Sequence, residues 1–348
     1  MSIVVQSPLP ACSDRWEPPL PSPRGPITEQ LFRALADGPG NLDQIRLIEG
    51  DPLADDDLHL ALYVCYELHY RGFRHVDDRW EWNPSLLTLR RELEEMFEVA
   101  LRESFGDVNC SDLADTKAQL QEIANRSGPS LSRYLKDQAS LYEFSELIVH
   151  RSAYRLKEGD PHSWAIPRLE GKAKAALVEI EFDEYGCGKA DRIHAALYRN
   201  TLDAMGFDSR YGAYLDVIPG ITLAPINMMS MFGLHRRLRG AIVGHLVLAE
   251  MTSSLSNKLA ADGLRRLGYG ADATGFFDEH VIADSVHDMI ALHDLTAGLV
   301  GQDPALAEDV LFGASAGAGL DAGSTRYILD CWSRKKPSLR APGASLRH

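Results

Sequence analysis

The sequence predicts an all-α protein, in which a large helical bundle follows a smaller helical region. Three observations favour this class. Apolar residues recur with a helical period through most of the chain, alternating strand patterns are nearly absent, and proline or glycine stands where the predicted helices end. With 348 residues, the chain is long enough to bury one large core together with a smaller subdomain.

The N-terminal half has the pattern of several amphipathic helices. Residues 55–73 combine an acidic first turn with a long apolar stripe and a glycine near the end. Residues 83–106 repeat this plan, with Pro84 in the first turn and Gly106 at the end. A third helix is expected over residues 112–127, after which "SGPSLSRYL" indicates a junction.

The C-terminal half contains the longer predicted helices. They are expected over residues 137–158, 167–205, 224–266 in two pieces, 273–297, 303–318 and 320–334. The second of them is interrupted by "YGCG" at residues 185–188, where two glycines permit a bulge.

The same patterns predict how the chain divides into domains. They indicate a disordered proline-rich leader at 1–26, an N-terminal helical region at 27–130, the bundle at 131–335 and a disordered basic tail at 336–348.

Composition excludes several classes of function. The formal net charge of −14 disfavours nucleic acid as a partner. No segment approaches the roughly 18 consecutive apolar residues that a membrane span requires, and the N-terminal segment lacks the pattern of a secretory signal. The five cysteines are scattered and form no CxxC pair, which argues against a disulfide framework and predicts a reducing cytoplasm.

The segment "FFDEHVIADSVHDMIALHDL", residues 276–295, contains the clearest candidate site. On a helix that turns about 100° per residue, Asp284 lies about 40° from His280 and His287 about 20° to the other side. These three potential ligands therefore share one face, whereas His293 points away. Taken alone, the segment also fits a helix with ordinary capping and surface polar residues.

Potential partners for this face occur on other predicted helices. Glu250 stands in a nearly apolar run, where a lone carboxylate is costly unless it binds something. Glu184 and His194 would lie about 80° apart on an ideal helix, and a bulge at the intervening glycines would bring them closer. Glu158 stands at the end of a predicted helix, where the macrodipole disfavours an anion, although a solvated last-turn residue also fits.

The combination of imidazoles and carboxylates indicates the chemistry of the site. A helical bundle with several inward histidines and carboxylates has the composition of a carboxylate-bridged di-iron site. Oxygen and imidazole donors suit iron or manganese, and the absence of clustered thiolates argues against structural zinc.

Four segments resemble the haem-oxygenase-like di-iron oxidases and oxygenases, also called the iron-containing redox enzyme family. They are "LKEGDPHSWAIPRL", "EFDEYGCGKADRIHAALY", "GHLVLAEMTSS" and "FFDEHVIADSVHDMIALHD". The resemblance covers roughly residues 131–335 and implies a haem-oxygenase-like bundle that uses two iron ions and no haem. Carried across by position, it implies metal ligation by Glu158, Glu184, His194, Glu250, His280, Asp284 and His287. Glu184 matches an additional carboxylate of the N-oxygenating members.

The expected function is that of a cytoplasmic non-haem di-iron oxidoreductase, with Fe²⁺ as cofactor and O2 as co-substrate. It would oxidise a small molecule, with N-oxygenation of an amine or amino acid as the first interpretation. Oxidative C–C cleavage or desaturation at the same site is the alternative chemistry, because the pocket and not the metal shell selects the reaction. A cofactorless or haem-dependent member of the fold, and a non-catalytic helical binding or scaffold protein, also stay open. No nucleic acid or membrane partner is expected, and a homodimer is compatible with the sequence.

Overall fold

The computed structural model describes residues 17–42, 50–126 and 130–341, apart from the side chains of residues 284–286. Within these ranges there are helices and no strands, which confirms the predicted all-α class. The helices are α1 Pro26–Asp37, α2 Asp56–Glu67, α3 Pro84–Phe105, α4 Leu113–Ala124, α5 Leu131–Asp137, α6 Leu141–Arg155, α7 Asp160–Ser163, α8 Gly171–Glu184, α9 His194–Ala204, α10 Gly220–Leu234, α11 Arg239–Arg266, α12 Ala271–Ile290, α13 Thr296–Gln302 and α14 Ala307–Ser333. In the described part of the chain, no helix combines the length and apolar character that crossing a membrane requires.

Local sequence explains where several helices begin. The Asp55 side chain accepts hydrogen bonds from the first backbone N–H groups of α2, and Asn83 does the same for α3. Ser140 and Glu143 form a reciprocal capping box at the start of α6. These caps satisfy backbone donors that the helices themselves leave without partners.

The structure corrects three of the predicted helices. The predicted helices 303–318 and 320–334 form one continuous helix, α14. The predicted helix 273–297 is α12 followed by a π-helical turn, Ala291–Leu295. A short helix, α5, forms where the sequence indicated only a junction. For α14, packing against α11 outweighs the weak helix propensity of its glycines.

Helix α11 runs between α14 and α12 and packs closely on both. A Cβ atom on Gly244 of α11 would collide with the backbone carbonyl of Val310 on α14, and one on Gly313 of α14 would collide with that of Ala241. Glycines, which weaken an isolated helix, therefore form part of the contact surface between α11 and α14. This close approach positions α11, which carries one of the predicted ligands.

We expect Gly244→Ala to lower the free energy of unfolding by about 1–3 kcal/mol, because the added methyl group overpacks the α11–α14 contact. Gly275→Ala on α12 is the matched control, since nothing lies within 4 Å of its Cβ position. That change should be neutral or stabilising by up to about 1 kcal/mol. Urea unfolding of both variants measures the difference, and equal effects would contradict the packing argument.

The apolar core extends across the predicted domain boundary near residue 130. One buried cluster contains residues of α1, α2 and α3 together with residues of α10, α11 and α14. A second cluster, which includes Phe144, Tyr198 and Phe276, lies between α6, α9 and α12. Most of the predicted ligands lie on helices that contribute to one or both clusters.

Parts of the two predicted terminal segments lie within the described residues. The backbone N–H of Arg74 donates to the carbonyl of Pro18 at 2.9 Å. The hydroxyl of Ser338 donates to Glu146 at 2.6 Å, and Ser338 is fully buried. Residues 1–16 and 342–348 lie outside the described residues, and the division into leader, two helical regions and tail stays a prediction.

Candidate metal centre

Six of the seven predicted ligands lie in the interior of the bundle. These six residues are 1–7 % exposed. Their positions are Glu158 in the turn after α6, Glu184 at the end of α8, His194 at the start of α9, Glu250 in the middle of α11, and His280 and His287 on α12. The seventh, Asp284, belongs to α12, but its side chain lies outside the described part of the structure.

Three of these side chains form a compact group. One ligand atom each from Glu158, His194 and His280 lie within 4.8 Å of one another. His280 Nδ1 is 2.8 Å from the carbonyl oxygen of Phe276, an acceptor that requires the proton to be on Nδ1. In the neutral ring Nε2 then carries the lone pair, and it lies 3.5 Å from Glu158 Oε1. A single ion can therefore be held by all three residues.

A break between α8 and α9 brings Glu184 to this group. The sequence predicted a bulge within one helix, which is wrong in form, because the chain leaves the helix after Glu184 and re-enters at His194. Gly186 has a φ of +67°, and a Cβ there would lie 2.6 Å from the backbone of Arg192. The turn places Glu184 Oε2 2.9 Å from His194 Nδ1. The two residues are therefore close together, as the predicted bulge would also have placed them.

A second group lies between α11, α12 and α8. His287 Nδ1 is 3.4 Å from Glu250 Oε2, and its Nε2 is 2.9 Å from Asp183 Oδ2. Burial lowers the pKa of His287, but the Glu250 and Asp183 carboxylates outweigh this and raise it to about 9. The ring thus lies between two carboxylates that favour its protonated form, and a metal ion that binds Nδ1 competes with a proton there.

Asp183 is a functional candidate that the sequence reasoning missed. Its carboxylate orients His287 in the way that outer carboxylates orient metal-binding histidines. In the sequence, Asp183 stands directly before the predicted ligand Glu184. Its contact with His287, however, joins two residues that are 104 positions apart. No local pattern predicts such a contact.

We expect Asp183→Asn to weaken metal binding by about 10–100-fold, because the amide can no longer accept the Nε2 proton of His287 as a carboxylate does. Asp191→Asn is the control, since Asp191 is an exposed residue of the turn between α8 and α9. Anaerobic titration with Fe(II) compares the two variants. Equal affinities would show that Asp183 does not act through His287.

The carboxylates of the site differ in their electrostatic surroundings. Burial would raise the pKa of Glu184, but contact with His194 and the charges of His280 and Arg155 lower it to about 2. Burial raises the pKa of Glu250, an effect that His287 only partly offsets. Glu158 forms an ion pair with Arg155 through Oε1, while its Oε2 has no hydrogen-bond partner in the described part of the protein.

These residues fit a bound metal. Buried oxygen and imidazole donors, together with a buried carboxylate oxygen that has no hydrogen-bond partner, are what a hard or borderline cation satisfies. The donor set contains no thiolate. Of the free cysteines, Cys187 is exposed, and its thiol donates to Asp183 Oδ1 at 3.0 Å. No cysteine belongs to the group of Glu158, His194 and His280, so the chemistry of the donors favours iron or manganese over structural zinc.

Two comparisons with known proteins agree with this geometry. A family model described as an iron-containing redox enzyme matches residues 145–322. The chain is also 28 % identical over 146 residues to a nitrosourea synthase from Streptomyces achromogenes subsp. streptozoticus. That alignment covers 42 % of this chain and 31 % of the relative, so the chain matches about a third of the relative's length.

Proposed function

The chain belongs to the iron-containing redox enzyme family, and from this premise we propose that it is a non-haem di-iron oxygenase or oxidase. Its reaction would use O2 to oxidise a small metabolite, with the nitrogen of an amine or amino acid as the reacting atom. The observation that carries the proposal is the convergence of buried carboxylates and imidazoles from five separate segments of the bundle. The predicted ligands would hold two iron ions and no haem.

The arrangement supports two neighbouring positions for the ions. Glu158, His194 and His280 would hold the first. Glu250 and His287 would hold the second, together with Asp284 as implied by the resemblance. Glu184 contacts His194 and would complete the carboxylate shell as the additional ligand of N-oxygenating members. Bound Fe(II) ions would supply the electrons and open coordination positions that activate O2.

The protein's own residues would prepare this chemistry in several ways. The carboxylates balance the charge of the ions, and the hydrogen bond from His280 to Phe276 holds one ring in the tautomer that binds metal. Asp183 holds the second ring. Burial keeps bulk water from the ligands, which strengthens each electrostatic interaction inside the site.

The choice of nitrogen as the reacting atom is supported by the name of the relative. A nitrosourea carries a nitroso group on nitrogen, so a nitrosourea synthase forms a product with oxidised nitrogen. Glu184, at the position of the additional carboxylate, is consistent with the same class. Oxidative C–C cleavage and desaturation would use the same ligands, and only the product distinguishes them.

Anaerobic reconstitution with Fe(II) tests the proposal. We expect about two irons per chain and consumption of O2 in the presence of a suitable amine or guanidine. Mass spectrometry should then show products that have gained oxygen at nitrogen. Well under two irons per chain would refute the di-iron centre, and O2 consumption with a cleaved or desaturated product would refute N-oxygenation alone.

The competing interpretation, a scaffold protein with structural buried polar groups, makes a different prediction for the same preparation. It requires Glu250→Gln to leave both metal content and stability unchanged. The enzyme proposal requires the bound iron to fall while the helical fold is retained. Iron analysis together with circular dichroism separates the two.

A further inference from the structure

Glu181 is a buried carboxylate that is not among the seven predicted ligands and has no role in the function proposed above. It lies on α8, and its side chain is 3 % exposed. Neither of its carboxylate oxygens has a hydrogen-bond partner among the described residues. An isolated carboxylate in such a place is strongly unfavourable unless it is neutralised or binds a cation.

The Glu181 side chain lies near the backbone of two predicted ligands, Glu158 and Glu184. Glu181 and Glu184 are three residues apart and therefore share one face of α8. A Cβ atom placed on Gly159, the neighbour of Glu158, would lie 3.2 Å from Glu181 Oε2 and 3.3 Å from Glu184 Cβ. The Glu181 carboxylate thus lies against the turn that carries Glu158.

The charges around Glu181 are predominantly negative. Burial raises the pKa of Glu181 well above its usual range, and the Glu184, Glu250 and Asp160 carboxylates raise it further. The cations of this region contact other acids.

Three positively charged side chains near Glu181 are each paired with a different acid. Arg155 pairs with Glu158, Arg71 lies 3.8 Å from Asp160, and Lys157 lies 3.0 Å from Glu67. In the described part of the structure, Glu181 makes no ion pair that would balance its charge. A cation that enters the neighbouring metal centre is the group best placed to do so.

We propose that Glu181 supplies a further carboxylate to the metal centre, in addition to the seven residues predicted from the sequence. This role rests on the proposed di-iron function. On α8 the pair Glu181 and Glu184 then forms an E-x-x-E unit whose two side chains face the same ions. An ion bound there would supply the partner that both Glu181 oxygens lack among the described residues.

Fe(II) titration of the full-length protein under anaerobic conditions tests this role. Glu181→Gln is nearly isosteric and removes the charge, and we expect it to weaken binding of at least one ion by tenfold or more. Glu179→Gln is the matched control, because Glu179 is an exposed residue of the same helix. It should bind iron as the unaltered protein does.

Thermal unfolding of the metal-free protein gives a second readout that does not depend on turnover. Glu181→Gln should unfold at a higher temperature than the unaltered protein, because glutamine enters the buried site without taking up a proton, whereas burial and the Glu184, Glu250 and Asp160 carboxylates disfavour the charged form of Glu181. Iron should then stabilise the unaltered protein more than the variant. Glu179→Gln should show neither difference.

The outcomes separate this inference from the proposed function. If the unaltered protein binds about two irons and Glu181→Gln binds them equally tightly, the role of Glu181 is refuted and the di-iron function stands. If the unaltered protein binds well under two irons, the proposed function fails and this role fails with it. Should circular dichroism show that Glu181→Gln is misfolded, Glu181→Asp decides. Aspartate keeps the charge but places the carboxylate oxygens one methylene group further from the ions. If Glu181→Asp bound Fe(II) as tightly as the unaltered protein, the proposal would be overturned.

Discussion

Replacing His280 with alanine is expected to remove about one iron ion per chain and to lower turnover by more than about 100-fold. The ring belongs to the group in which Glu158, His194 and His280 each place a ligand atom within 4.8 Å of the others. Since removal of an outer partner alone costs about 10–100-fold, loss of a ligand should cost more. Iron analysis after anaerobic reconstitution and an O2-consumption assay measure the two effects.

The matched control for this variant is His293→Ala. His293 lies in the π-helical turn that follows α12, is exposed, and contacts Lys117 with a separation of 3.3 Å between Nζ and Nδ1. On an ideal helix His293 also points away from the face that His280 and His287 share. We expect normal iron content and turnover for His293→Ala. Equal iron content in both variants would contradict a metal site at His280.

Replacing Lys157 with methionine is expected to lower the free energy of unfolding by about 3–5 kcal/mol, because it leaves a buried carboxylate without its counter-ion. Lys157 is 1 % exposed and Glu67 is fully buried, with 3.0 Å between Nζ and Oε2. The hydroxyl of Tyr211 also donates to Glu67 at 2.8 Å. Urea unfolding of the metal-free protein isolates this effect from that of iron binding at the neighbouring Glu158.

Lys172→Met is the control for a salt bridge of similar length on the surface. Lys172 and Asp294 are 2.7 Å apart, but their side chains are 60 % and 45 % exposed. Its loss should cost at most about 1 kcal/mol. The double variant Lys157→Met with Glu67→Leu should recover part of the stability, because an apolar pair has no uncompensated charge. Equal losses for the two single variants would contradict the distinction between buried and exposed pairs.

The Lys157–Glu67 pair also gives the N-terminal helical region a structural role that its sequence did not indicate. Glu67 ends α2, whereas Lys157 lies in the turn after α6 that carries Glu158. The end of α2 is thus tied to the backbone next to a predicted ligand. Variants of this pair should therefore be examined for iron content as well as stability.

Much of the fold could be predicted from local patterns. Helices α2 and α3 begin at the acidic turn and at the proline that the sequence indicated, because capping and amphipathic period act within one or two turns. The shared face of His280 and His287 follows from helical geometry in the same way. The Gly186–Gly188 segment was identified as a break of the helical period, although its form is a turn and not a bulge.

Contacts between distant segments could not be predicted in this way. Helix α14 is continuous although it contains glycines, which weaken an isolated helix. One of them, Gly313, allows α11 to approach closely, and this contact could not be read from the local sequence. Asp183 and Glu181 gain their significance only from what α12, α11 and the turn at Gly159 place beside them.

The sequence by itself therefore determined the helical class, most helix positions and a set of residues able to bind metal, because these depend on periodicity and residue chemistry. The tertiary structure decided which of those residues meet and how the α8–α9 turn brings Glu184 to His194. It also decided that Glu181, among the described residues, is buried with no hydrogen-bond partner for either carboxylate oxygen. The physical reason is that burial and ligand geometry arise from packing between segments far apart in the chain.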